Sequence, residues 1–190
     1  MKKITLLSLL AFMFTLPILA QKTYSRPDIF TAKEITWFGL DFSKIKLIDP
    51  LGFTNPEDIK NNQFRALNYL VVNEPDKYDL KKFFNKEKVD IDLAVVKERN
   101  KLPDVDKLVL DAGAEYSLDE ATVREMISAY KPEETEGIGL VFIMEKFDKG
   151  QETGFMWVTF FDIASKKVLL TEKMSGKAGG FGWRNYWAKT

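Results

Sequence analysis

Apolar positions along this chain follow two different periods, and the switch between them divides it. From Glu34 to Ile48 the segment EITWFGLDFSKIKLI is rich in apolar and β-branched residues, which predicts a long first strand or a strand plus a bend. Asp49, Pro50 and Gly52 end it. In TNPEDIKNNQFRALNYLVV, Ile59, Leu67, Leu70 and Val71 recur at helical spacing. Asn55 is placed to cap that helix, Pro56 suits its first position, and Glu57 and Asp58 sit at its positive end. Pro75 stops it, and Asp76 to Phe84 reads as a shorter second helix. KVDIDLAVVKER, Lys88 to Arg99, alternates apolar with polar residues and reads as a half-buried strand. A short apolar run, Leu108 to Leu110, follows.

Ser117 and Glu120 form a capping-box pattern, and Val123, Met126, Ile127 and Tyr130 carry the helix behind it to Lys131-Pro132. From Gly137 the period becomes two. Ile138 to Phe147, Thr153 to Asp162 and Lys167 to Met174 read as three strands joined by turn residues, an antiparallel meander. In the middle strand Phe155, Trp157 and Phe161 share one face, and Met156, Val158 and Phe160 share the other. A strand apolar on both sides has to be covered on both sides. The order of elements predicts an α+β class, a two-layer domain with a mixed sheet, the C-terminal antiparallel β-meander and about three helices.

The first twenty residues, MKKITLLSLLAFMFTLPILA, have the layout of a secretory signal peptide. Lys2 and Lys3 precede an apolar run from Ile4 to Leu16, Pro17 interrupts it, and Ala20 offers a small cleavage residue. Cleavage after Ala20 leaves a chain starting at Gln21, with a flexible arm over 21–33 and a single globular domain over 34–190. The expected location is periplasmic or secreted, with no stable membrane insertion once the leader is gone.

Removing the leader leaves 26 basic against 28 acidic side chains. A net charge near −2 gives no field to draw in nucleic acid or an anionic membrane. The chain has no histidine and no cysteine. That excludes Ser-His-Asp and Cys-His catalysis, thiolate redox chemistry and zinc sites built on those ligands. Carboxylates, lysine, tyrosine or a Ser-Lys pair remain as catalytic options, and no cofactor is indicated. Asp90 and Asp92 lie on one strand face as weak candidates for calcium or magnesium, with a solvated strand edge as the plainer reading; Asp104 and Asp106 read as a solvated loop. The glycine-rich SGKAGGFG, residues 175–182, fails the phosphate-loop patterns and reads as a sharp chain reversal.

The chain closes on GWRNYWAKT. Trp183 and Trp187 are four apart, so a helical turn places them side by side with Tyr186 adjacent and Arg184 turned away. A helix this short is not stable alone and has to dock through its aromatics. The open second face of the Phe155–Phe161 strand is the expected place. The alternative is an exposed platform in which Trp183, Arg184, Tyr186, Trp187 and Lys177 contact a glycan or an envelope partner.

The capped helix, GIGLVFIMEKF and GFMWVTFFDIASKKVLLTEKMSG resemble, over about residues 117–175, the small envelope α/β domains of the TolB N-terminal and curli-secretion lipoprotein type. The shared feature is a strand ending in Asp162, a small turn and the return strand at Lys167-Val168-Leu169; the lipobox cysteine of the lipoprotein members is absent. The resemblance implies a non-enzymatic domain that contacts other envelope proteins, and it carries over no site residues.

The functional expectation is an exported, non-catalytic binding or adaptor domain of the cell envelope. The alternatives are a carboxylate-dependent or metal-assisted hydrolase and a carrier with a cavity for a hydrophobic ligand between sheet and helices.

Overall fold

Strand β5 (Ile138–Asp148) is the spine of the molecule, for which a computed structural model describes residues 22–190. Along one edge runs β6 (Thr153–Asp162), antiparallel, followed by β7 (Val168–Lys177), antiparallel to β6. Along the other edge two strands follow one another, both parallel to β5. β1 (Glu34–Asp41) occupies the first half and β2 (Lys46–Ile48) the second. β3 (Lys88–Ile91) lies parallel to β1, and β4 (Val109–Leu110) parallel to β2. The α+β class and the mixed sheet match the sequence pattern; the C-terminal meander and the expected three or so helices match it only roughly, since most pairings in the seven-stranded sheet are parallel and the described residues hold more helices.

Helices account for the main departures. The capped helix begins as α2 (Pro56–Asp58), passes through a π-turn at Ile59–Gln63 and continues as α3 (Phe64–Asn73). Asn55 Oδ1 accepts from the Asp58 amide at 3.1 Å, as its position predicts. α4 (Leu80–Phe84) is capped by Asp79. The stretch read as one strand from Lys88 to Arg99 is a strand only to Ile91, after which it forms α5 (Ala94–Arg99). Asp92 Oδ1 accepts the Ala94 amide at 2.8 Å and opens that helix, whose Ala, Lys, Glu and Arg are strong helix formers. α6 (Glu120–Ser128) is capped by Asp119, which accepts from the Thr122 amide at 2.7 Å, not by Ser117. Ser117 instead accepts from Lys173 Nζ at 2.9 Å.

Residues 21–33 were expected to be a loose arm. Tyr24 onward is docked, and α1 (Arg26–Thr31) buries Ile29. The Tyr24 amide donates to Asp162 Oδ2 at 2.9 Å, and Lys86 Nζ donates to the Ile29 and Ala32 carbonyls at 2.5 and 2.8 Å. These contacts satisfy the carbonyls that the end of a helix leaves open. Burial lowers the Lys86 ammonium pKa. Burial pushes Asp162 up, but donation from the Ser165 hydroxyl and amide and from the Tyr24 amide outweighs it, so its carboxyl titrates below the usual range.

The sheet is covered on both faces, which adds a layer to the two expected. On one face Trp37, Leu47, Leu140 and Phe147 pack with Ile59, Phe64 and Leu67. On the other, Phe38, Val141, Ile143 and Phe161 pack with Val95 and Val96 of α5, Val123, Met126 and Ile127 of α6, and Tyr130. The Trp157 and Phe161 face of the doubly apolar strand is therefore closed by α6, and the C-terminal tail joins the cluster on the Met156, Val158 and Phe160 face.

The irregularity inside β1 has a specific cause. Gly39 adopts φ +96°, and the register with β5 shifts between Trp37 and Leu40. The displaced Leu40 backbone is taken up by Asn68 of α3, whose Oδ1 accepts from the Leu40 amide at 2.7 Å while Nδ2 donates to its carbonyl at 3.1 Å. A Cβ at position 39 would fall 2.5 Å from Asn68 Oδ1, so both the backbone angle and the close approach require glycine. Immediately beyond, buried Asp41 accepts from Arg99 Nε at 2.7 Å, the Tyr130 hydroxyl at 2.6 Å and the Ser43 amide at 2.8 Å.

Candidate functional site

Between the sheet and its α3–α4 side lies a cavity of about 700 Å³. Its floor is sheet: Phe142 and Met144 from β5, Met156 and Val158 from β6. Leu67 and Val71 of α3 and Leu80 and Phe84 of α4 form the opposite wall. Phe142, Met156 and Val158 stand on the two central strands and face the helical layer, yet they are only half-buried. The reason is the length of α4. Five residues rising 1.5 Å each span about 7.5 Å, too little to cover the ten-residue strand below.

The C-terminal tail forms the end wall. α7 (Trp183–Trp187) places Trp187, 2% exposed, between Phe147 and Phe53, with ring centroids 4.5 and 5.5 Å away. Trp187 and the three residues after it border the cavity. Trp183 is half-buried, edge-on to Phe147 at 6.0 Å, with its indole N–H lacking a partner among the described residues. The Tyr186 hydroxyl accepts from Lys149 Nζ at 2.9 Å and donates to Glu152 Oε1 at 3.0 Å. Arg184 is exposed and bonded to neighbouring Asn185, and exposed Lys177 donates to the Gln151 carbonyl at 2.9 Å. The five tail residues singled out in the sequence thus divide: Trp187 is core, Trp183 and Tyr186 are partly covered, and Arg184 and Lys177 lie outside.

Residues that line the cavity and are also exposed define its mouth. They are Phe83, Met174 and Ser175, with Lys77, Lys82 and Lys189 among acids Asp76 and Asp79. The site is an apolar chamber with a mixed, partly basic rim. It can enclose an apolar chain and leave a polar head in water. The sequence pattern placed Met156 and Val158 on an apolar strand face that needed covering, and a cavity for a hydrophobic ligand between sheet and helices was one alternative; it did not single out Met144. The only available signal was three methionines, 144, 156 and 174, on consecutive strands, a side chain that adapts to changing contents.

The other candidates do not converge. Asp90 pairs with Lys88 Nζ at 2.6 Å on an exposed strand, and Asp92 is used at the start of α5. Among the described residues, no group of three or more Asp, Glu, His or Cys is placed to hold a metal ion. A Ser-Lys pair does exist: Lys173 Nζ lies 2.9 Å from Ser117 Oγ. On its other side is the fully buried Glu145, 2.8 Å away, which also accepts from the Leu118 amide and the Trp157 indole at 3.0 and 3.1 Å. Lys173 therefore donates to Ser117 and forms an ion pair with Glu145, and the cluster ties the lead-in of α6 to β5, β6 and β7.

Among the described residues no helix is long and apolar enough to cross a membrane. No family model, curated protein or solved structure matches the chain. The fold and site together define a class: an α+β domain with a mixed sheet, helices on both faces and one apolar chamber under the helical layer.

Proposed function

We propose that this chain is an exported, non-catalytic binding domain of the cell envelope, and that its ligand is an amphiphile whose apolar chain occupies the cavity. One observation carries the reading: an apolar volume of about 700 Å³ remains beside two central strands of the sheet. Sites for small ligands commonly enclose about 300–1,000 Å³ with apolar walls and a few polar groups at the opening. Each Å² of apolar ligand surface placed there gains about 25 cal/mol. The leader pattern, the missing histidine and cysteine, and the resemblance to small envelope domains support export and binding without chemistry. Trp187 and Lys189 then serve the ligand as end wall and rim, in place of the exposed aromatic platform considered from the sequence.

The test is titration of the purified chain with a naphthalene-sulfonate probe and with saturated fatty acids of increasing length. Probe emission is expected to rise on binding and to be displaced by the longer acids. Val158→Trp fills the floor of the cavity and is expected to weaken probe binding about tenfold or more, or ~1.4 kcal/mol. A wild-type chain that takes up neither probe nor fatty acid overturns the reading.

A further inference from the structure

We infer that Met144, Met156 and Met174 form a site for one soft monovalent cation, Cu(I) or its redox-inert analogue Ag(I), on the floor of the cavity. The chain carries six methionines, and Met1 and Met13 lie in the first twenty residues. Three of the remaining four stand in one row across the sheet. Met144 of β5 is directly opposite Met156 of β6, and Met156 is directly opposite Met174 of β7. All three border the same cavity, whereas Met126, the fourth, is buried in the cluster on the other face. Directly opposed residues hold their Cβ atoms about 4.5–5.5 Å apart, and the methionine side chain is unbranched and freely rotating. Each sulfur can therefore swing toward its neighbour, and Met156, in the middle, reaches both. Neighbouring strands lie about 4.8 Å apart, which puts the outer two methionines about 10 Å from one another. One ion between inward-turned thioethers bridges that span.

Burial falls along the row. Met144 is 2% exposed, Met156 half-buried and Met174 45% exposed at the mouth, so the row gives an ion a path from water to the interior. An apolar side chain left in water gains little from burial, so core filling does not account for Met174. Among the described residues no hydrogen bond engages any of the three sulfurs, which leaves their lone pairs free for a metal. The donor chemistry selects the ion. Thioethers are soft, neutral ligands that favour Cu(I), whereas magnesium, calcium and manganese take carboxylates, carbonyls and water. Neutral ligands among apolar walls do nothing to offset charge, and burying charge is costly, which favours a single charge over a double one. With no histidine or cysteine in the chain, thioethers are its only soft donors. Lys77, Lys82 and Lys189 at the opening are balanced by Asp76, Asp79 and nearby Glu74, so the mouth sets no net barrier to a cation. The site needs the methionine row alone and does not depend on an amphiphile in the cavity.

The experiment labels the methionine methyl carbons of the chain, its leader removed and confirmed by intact mass, and titrates it with silver nitrate in chloride-free buffer. The methyl resonances of Met144, Met156 and Met174 are expected to move together and to saturate at one ion per chain, with Met126 unmoved. Cu(I) affinity is then read in competition with bicinchoninate under ascorbate. Leucine replaces methionine at nearly constant volume, so Met156→Leu is expected to keep its melting curve. Its Cu(I) affinity is expected to fall about tenfold or more, since even losing an outer partner of a metal ligand costs that much. Met174→Leu, at an exposed position, repeats the test without touching the interior and is expected to weaken binding as well. Met126→Leu is expected to bind as wild type. No movement of the three methyls, equal movement of all four, or wild-type Cu(I) affinity in both Met156→Leu and Met174→Leu each overturn the site. Uptake of the naphthalene-sulfonate probe without silver binding removes this site and leaves the cavity reading standing. Silver binding without probe uptake removes the cavity reading instead.

Discussion

Trp187 lies flat on Phe147, their ring centroids 4.5 Å apart and their planes within 11°. That stack joins the last turn of the chain to the far end of β5 and closes one end of the cavity. Phe53 covers the opposite side of the indole at 5.5 Å, so the side chain is held between two rings.

Trp187→Ala is therefore expected to behave as a core deletion. The loss is about 3–5 kcal/mol, which for a domain of this size lowers the melting temperature by about 10 °C. Differential scanning calorimetry reads it directly. A melting temperature within about 2 °C of wild type would show that the tail is not part of the core.

Asn68→Leu removes the clamp on the irregularity inside β1. The Leu40 amide and carbonyl lose their Asn68 partners, and a buried backbone group left unpaired costs about 1–3 kcal/mol. The carbonyl keeps a second bond from Asn100 Nδ2 at 3.0 Å, so most of the loss falls on the amide. Hydrogen exchange of the Leu40 amide is expected to accelerate more than that of amides in β6. Uniform acceleration across the sheet would instead indicate global destabilisation alone.

Lys173→Met leaves Glu145 buried with two donors and no cation. The expected cost is about 1–3 kcal/mol, at the lower end because Lys173 is partly exposed. Adding Glu145→Gln removes the stranded charge and is expected to recover part of the loss, so the two changes should be non-additive. Urea midpoints of the two single variants and the double variant measure the coupling. Strict additivity would mean the pair does not interact.

Tyr130 sets an alkaline limit. Burial, then the neighbouring Asp41 carboxylate and its hydrogen bond, raise the phenol pKa well above its ordinary value of 10. The folded state thus keeps a proton that the unfolded chain releases. The resulting stability is fully present below about pH 10 and is lost progressively as pH rises above it. Tyr130→Phe is expected to be less stable at neutral pH, because Asp41 loses a donor, but to fall less steeply between about pH 9 and 11. Parallel slopes of urea midpoint against pH for the two proteins would refute the assignment.

Much of this fold was legible because local rules govern it. The Asn55 cap with Pro56, and the three strands of the meander, follow from residue type and period within one segment; the first two strands fall within a residue of expectation and the third runs on to Lys177. Misreadings fell where two periods overlap. Val95 continues the alternation of Val89, Ile91 and Leu93, but Asp92 turns the chain and makes Val95 and Val96 a helical pair packed with α6. At Ser117 the capping pattern was present, yet Asp119 lies closer to the helix start and Lys173, distant in sequence, claims the serine.

The sequence alone determined the α+β class, the meander, the need to cover a doubly apolar strand and the chemistries that a chain without histidine or cysteine cannot perform. The tertiary structure decided which element covers which face, and that α4 is too short to fill the space above Phe142, Met156 and Val158. It also decided that Trp187 closes one end of that space while Arg184 and Lys177 remain outside. The physical reason is that an apolar residue declares its preference for burial in the sequence, whereas the partner that buries it, or the gap where none does, depends on segments brought together only by folding.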